Sequence, residues 1–162
     1  METDVRLFGR NAANDVLHPL RQIRLFSSLN ARELAVVQAL RHERRYLAGE
    51  VVFDEGDDGE AIYAIVSGEV EILQADGERQ TRLALLGPGE VFGELALLDQ
   101  APRVAQARAH SDCLLVVFFR ADFMSLLETH PKIASKIALA LARHLGGRLR
   151  QANAGVRQAG HL

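Results

Sequence analysis

The chain has 162 residues, 48% of them apolar, with 19 Lys+Arg against 21 Asp+Glu for a net charge of −2. That is one domain's worth of chain with ample material for a core, and the near-neutral balance excludes a uniformly basic, nucleic-acid-coating surface. The charge is unevenly placed: residues 1–128 carry 13 basic and 21 acidic side chains, whereas residues 129–162 carry six basic and none acidic.

Residues 12–41 read as helix in two pieces, interrupted near Pro19 and the Ser27-Ser28 pair. Asn30 with Glu33 three residues later is a variant of the capping box, and Leu34, Val37 and Leu40 follow at helical spacing. From about 44 to 119 the rhythm changes to short strands between glycine turns, at 49, 56, 59, 68, 77, 87, 89 and 93. Within them Val70 and Ile72 interleave with Glu69 and Glu71, and Leu83 and Leu85 with Arg82 and Ala84. Such even punctuation predicts a small antiparallel barrel or jelly roll.

The single cysteine, Cys113, has no disulfide partner and sits in the apolar run 113–119, where a buried, inert thiol is expected. That run is far shorter than the ~18 residues a membrane-spanning helix needs, and the acid-containing amino terminus lacks the pattern of a signal peptide. A cytoplasmic protein is expected. After Arg120 the period is again helical: a short helix stops before Pro131, and residues 132–152 form a long one. Its apolar positions Ile133, Ile137, Leu141, Leu145 and Leu149 step by four, Arg143, Arg148 and Arg150 load its carboxyl end, and Gly146-Gly147 marks a kink, close contact or hinge.

The segment richest in chemistry is 89–109. Gly93 and Glu94 open a short apolar helical turn through Leu95 and Ala96, and free N–H groups at such a start favour an anion. Arg103 follows Pro102 at the entry to a strand in which Ala105, Ala107 and Ala109 face one way and Gln106 and Arg108 the other. A guanidinium beside a helix start grips phosphate oxygens bidentately, while a carboxylate on the same loop accepts from a sugar hydroxyl. One anion clamp plus one hydroxyl acceptor describes a ribose phosphate site.

Residues 92–97 (FGELAL) with 102–105 (PRVA) closely resemble the phosphate-binding cassette of the cyclic nucleotide-binding domain family, which includes the catabolite activator protein and the regulatory subunits of cyclic AMP-dependent protein kinase. Residues 47–53, Glu55-Gly56-Asp57, 63–70 and 86–89 resemble the family's barrel turns, so the likeness spans roughly residues 20–150. It implies an α+β, mainly β fold: an antiparallel β-roll or jelly-roll barrel with N-terminal helices and a long C-terminal lid and dimerisation helix. The corresponding division is an N-terminal helical extension (1–22), the β-roll (23–130, cassette at 92–105), the long helix (131–152) and a tail or linker (153–162).

The resemblance further implies that Arg103 pairs with the cyclic phosphate, that Glu94 accepts from the ribose 2′-hydroxyl, and that the backbone N–H groups near Gly93, Leu95, Ala96 and Val104 complete the cradle. Val104 departs from the family's common Ser, Thr or Ala; the Thr hydroxyl is associated with preference for cyclic GMP, so valine leaves base selection open. In register with the catabolite activator protein, Arg148 falls where that protein contacts adenine. Arginine offers only donors, which suits guanine O6 and N7; Arg82, on a barrel strand, is a second candidate for the same part. The ligand is therefore cyclic GMP or cyclic AMP, with a lean to cyclic GMP.

Other chemistries fit poorly. The acid-rich turn 54–60 fails the EF-hand pattern, since taking Gly59 as the sixth position puts Gly56 and Ile65 where ligands belong. Histidines 18, 42, 110, 130, 144 and 161 form no close metal-ligating pair, and no nucleophile elbow or Walker loop occurs. The expectation is a non-enzymatic receptor, without a metal, that binds a cyclic nucleotide and relays a movement of its last helix to an unidentified effector. It is expected to homodimerise through that helix and to bind neither DNA nor membrane. The alternative is a dimerisation or docking module of the same fold that no longer binds nucleotide.

Overall fold

The computed structural model describes residues 19–159, with side chains described through residue 155; the expected helix over 12–18 lies outside these. Eight antiparallel strands form two four-stranded sheets. One has the order β1 (His42–Tyr46), β8 (Cys113–Phe119), β3 (Ala61–Ser67), β6 (Val91–Phe92); the other has β2 (Val51–Phe53), β7 (Gln106–Ala109), β4 (Val70–Asp76), β5 (Arg79–Leu86). Helices cover the outer face of the first sheet: a 3-10 turn (Arg24–Phe26), α1 (Ala31–Gln38), α2 (Arg120–Thr129) and α3 (Pro131–Ala159).

Strand β8 explains why its sequence is an unbroken apolar run, because it is buried on both sides. Val116 and Phe118 join a core with Leu20, Ile23, Phe26, Leu34, Ile137 and Leu141, while Cys113 and Leu115 face a second core between the sheets with Ile65, Phe92, Ala107 and Ala109. Cys113 is 5% exposed, and burial pushes its thiol above the ordinary range. At the β3–β4 turn Gly68 has φ +83°, and a Cβ there would lie 2.2 Å from the Asp112 carbonyl oxygen, so only glycine fits.

Alternation holds in β4 and β5, with the faces set by register. Val70 opposes Leu86 and Ile72 opposes Ala84 on the inner face, which turns Leu83 and Leu85 outward, 55% and 41% exposed. The capping box forms as read: Asn30 Oδ1 accepts from the N–H groups of Arg32 and Glu33 at 3.0 Å each, and Glu33 Oε2 accepts from Asn30 N at 2.9 Å. Both Glu33 oxygens also accept from Lys136 Nζ at 2.8 Å, which ties α1 to α3.

Helix α3 differs from expectation in two ways, its length and the use of its apolar stripe. It continues through Ala159, so the stretch from 153 read as a tail is helical at least that far; no proline interrupts it, and a lone Gly155 costs only about 1 kcal/mol. At 29 residues it is ~43 Å long at ~1.5 Å per residue. Gly146-Gly147 produces no break in it. The apolar stripe is spent on the chain's own core, with Ile133, Ile137 and Leu141 at 5%, 3% and 1% exposure, whereas Leu149 is 63% exposed.

Candidate functional site

The second sheet, the 3-10 turn Glu94–Leu97 and the carboxyl half of α3 enclose a cavity of ≈ 280 Å³ lined by Gly93, Glu94, Leu95, Ala96, Arg103, Val104 and Arg148. Seven of the eight residues singled out from the sequence therefore meet in one place. Arg82 does not: it lies on β5 with Nη1 3.9 Å from Glu71 Oε2, away from the lining.

Arg103 is 8% exposed and Glu94 3%, a depth at which a charged group requires specific partners. Arg103 Nη1 donates to the Gly93 carbonyl at 3.0 Å and Nη2 to the Ala61 carbonyl at 2.7 Å. The guanidinium carbon lies 4.1 Å from the centroid of the Phe53 ring, a cation–π contact, and Phe53 belongs to an aromatic group with Tyr63 and Phe92. Among the described residues no carboxylate reaches Arg103 at ion-pair distance. Asp99, the obvious surface partner, instead accepts from Ala101 N at 3.2 Å.

Nε of Arg103 is shut off from solvent and has no partner among the described residues. A buried donor left this way is costly until an acceptor arrives. Burial lowers the Arg103 pKa, and Tyr63, Asp57 and Glu94 oppose that effect; the guanidinium remains a cation at any ordinary pH. Its backbone is fixed by the acid-rich turn, since Arg103 N donates to Asp57 O and Gly56 N to Arg103 O, each at 2.8 Å.

Gly93 starts the 3-10 turn in the left-handed region at φ +70°, and a Cβ on it would stand 2.6 Å from Arg103 Nη1. The left-handed backbone favours glycine, and a Cβ would push the Arg103 guanidinium from its place. Of the cradle N–H groups expected from the sequence, those of Leu95 and Val104 make no backbone bond among the described residues, but that of Ala96 donates to Gly93 O at 3.2 Å, because the turn closes on itself. Ala96 therefore lines the cavity with its N–H already engaged.

Glu94 faces α3. Its Oε1 accepts from Arg148 Nη1 at 2.5 Å, and His144 Nε2 lies 3.7 Å from the same oxygen. Burial alone pushes the carboxyl upward, but His144, the residue's own N–H and Arg148 outweigh it and hold the pKa below the usual carboxylate range. Sequence reasoning did not single out Phe53, Gly59, His144 or Leu145. Leu145 carried a local signal only as a member of the apolar stripe of α3; His144 and Leu145 are brought in by the crossing of α3, and Gly59 by its close approach to Ala96, 3.2 Å from a notional Cβ.

A two-sheet roll thus carries a buried guanidinium and a buried carboxylate in one cavity under a helix. A family model described as the cyclic nucleotide-binding domain matches residues 43–130. The chain is 39% identical to the cyclic AMP receptor protein of Thermus thermophilus over 75% of its own length and 56% of that protein. Among solved structures, the catabolite activator protein of Thermus thermophilus superposes with a TM-score of 0.75 at 36% identity, covering 85% of this chain and 63% of that one. The regulatory domain of Toxoplasma gondii protein kinase A, solved with cyclic AMP, gives 0.63 at 34% identity over 76% of this chain and 46% of that one. The chain belongs to the cyclic nucleotide-binding domain family. It spans between 33% and 56% of the lengths of the first curated relatives it matches. Among the described residues no helix is long and apolar enough to cross a membrane.

Proposed function

We propose that this domain is a receptor for a 3′,5′-cyclic purine nucleotide. The observation that carries the reading is the buried Arg103, held by two backbone carbonyls with Nε left unpartnered. The cyclic phosphate takes Nε and a remaining guanidinium N–H, and the free N–H groups of Leu95 and Val104 complete the cradle. Glu94 accepts from the ribose 2′-hydroxyl. The base packs towards Val104, Leu145 and Arg148 at the mouth.

The cyclic AMP receptor protein of Thermus thermophilus and the Toxoplasma gondii regulatory domain solved with cyclic AMP point to cyclic AMP, whereas a donor-only Arg148 against the base suits guanine. In its present position Arg148 is committed to Glu94, so contact with a base requires its release. Output runs through α3, whose position over the cavity depends on what fills it; ligand biases that helix only by its differential affinity for the two arrangements. The effector is another protein or another part of a longer chain. Two copies associate through the outer face of α3, where Leu139 and Leu149 are exposed, and the domain itself catalyses nothing.

Isothermal titration calorimetry with cyclic AMP and cyclic GMP tests this. Saturable heat with at least one of them is expected, and none with either at millimolar ligand refutes it in favour of a docking module.

A further inference from the structure

A second cavity, ≈ 450 Å³, lies between the 3-10 turn Arg24–Phe26, strands β5 and β6 and α3, a volume within the range of small-molecule sites. Its walls carry Arg24, Arg143, His144 and Arg148 against one carboxylate, Glu90, whose Oε2 already accepts from Gly87 N at 2.8 Å. Arg148 Nη1 is given to Glu94. Among the described residues no carboxylate lies at ion-pair distance from Arg24 or Arg143, and neither guanidinium makes a hydrogen bond. At Arg143 the cause is local: its helical neighbours three and four residues away, Leu139, Ala140, Gly146 and Gly147, carry no charge, so no pair forms along α3. The rest of the wall is apolar, from Leu25, Ala84, Leu86, Val91 and Ala140. Gly147 lines the same cavity with nothing within 4 Å of a notional Cβ. The helix does not break there, so what this glycine provides is open space.

We propose that this cavity is a second ligand site, for an organic diphosphate of the nucleoside diphosphate class: Arg24 and Arg143 hold the diphosphate, and a planar body lies on the apolar wall beside Gly147. Guanidinium groups match phosphate oxygens in pairs, and two of them without counter-charges call for a ligand with more than one negative charge. Both are exposed, so the attraction is exerted at the rim of the cavity and weakens with salt. An inorganic anion would leave the apolar wall unfilled, and an uncharged ring would leave the guanidinium groups unmatched. Glu90, with Oε2 taken, has a second oxygen to accept from a hydroxyl or amino group of the body. Arg103 lines the first cavity and not this one, while Arg24 and Arg143 line this one and not the first. The two sites are therefore separable by substitution, and the inference does not depend on what the first one binds.

The experiment is a calorimetric titration with magnesium-free ADP at low salt on the wild-type chain, R103A, R24A/R143A and G147L, with inorganic pyrophosphate and adenosine as partial probes. A saturable ADP site is expected in wild type and retained in R103A, and it should weaken by about tenfold or more in R24A/R143A. G147L, a substitution that a helix favours, is expected to weaken ADP by a similar factor by filling the open space; it leaves Arg103 intact, so the test does not hang on the stability of R103A. Pyrophosphate is expected to bind about tenfold more weakly than ADP, and adenosine to give no saturation at about 1 mM. No ADP binding by wild type at about 1 mM overturns the site. ADP binding lost in R103A but kept in R24A/R143A would place the ligand in the first cavity instead. Equal affinity for pyrophosphate and ADP, unaltered in G147L, would refute the planar body.

Discussion

Replacing Arg103 with alanine separates the two tasks that the side chain performs. In the empty protein it donates to the Gly93 and Ala61 carbonyls and lies under Phe53. Gly93 O keeps the Ala96 N–H at 3.2 Å, so the substitution removes one bond from a shared acceptor, one from Ala61 O and a cation–π contact. Hydrogen bonds involving a charge contribute about 1.5–3 kcal/mol each, and water entering the space left behind recovers part of this. A stability loss of about 1–3 kcal/mol in urea unfolding follows. Loss of affinity is larger, because a cyclic phosphate in the same cavity loses its counter-charge: about 2–4 kcal/mol, or roughly 30- to 1,000-fold in Kd. Arg103→Lys keeps the charge, but one ammonium cannot serve two carbonyls and a phosphate together, so its affinity falls between the two. Calorimetry on the folded Ala variant reads the result, and an unchanged Kd would refute the phosphate assignment.

Three further outcomes are expected. Because the Glu94 pKa is depressed in the folded state, its contribution to stability is complete above the unfolded carboxyl value of about 4.3 and is lost as pH falls through the lower folded value; urea unfolding from pH 6 to pH 3 should steepen for wild type relative to Glu94→Gln, and parallel curves would contradict the shift. Gly93→Ala forces a Cβ into the left-handed region 2.6 Å from Arg103 Nη1, at about 1–2 kcal/mol for the backbone alone; denaturant midpoint and ligand affinity should both drop, and an unaltered Kd would mean that Arg103 need not stay where Gly93 lets it lie. If α3 pairs two copies, light scattering with ligand present gives a dimer mass for wild type and a monomer mass for Leu139→Glu/Leu149→Glu; a wild-type monomer removes the pairing.

Much of this site was legible along the chain because its parts are local. Gly93 through Ala96 and Arg103-Val104 lie within a dozen residues, and a left-handed glycine, a helical start and a following strand place them together without help from elsewhere. The inner strands, the capping box and the buried Cys113 were equally legible, since each reports on its own neighbours through period or spacing. Arg148 was named as a candidate, but for a different partner: nothing within α3 indicates that its guanidinium meets a carboxylate 54 positions away. Arg82 was misplaced for a related reason, because a strand pattern tells which face a side chain takes and not which cavity lies beneath it.

The stepwise leucines of α3 make the same point. Spacing by four shows that one face is apolar, and it serves equally for a partner's surface or for the chain's own core; packing against Leu20, Ile23 and Phe118 decided for the core. Periodicity and the cassette by themselves determined a roll-type fold and the nearness of Gly93–Ala96 to Arg103. Which N–H donors there are already spent, that Arg103 rests against Phe53, and that Glu94 is held by the far helix were decided only by the tertiary structure. These depend on contacts between segments far apart in sequence, which burial and electrostatics select only after the chain has folded.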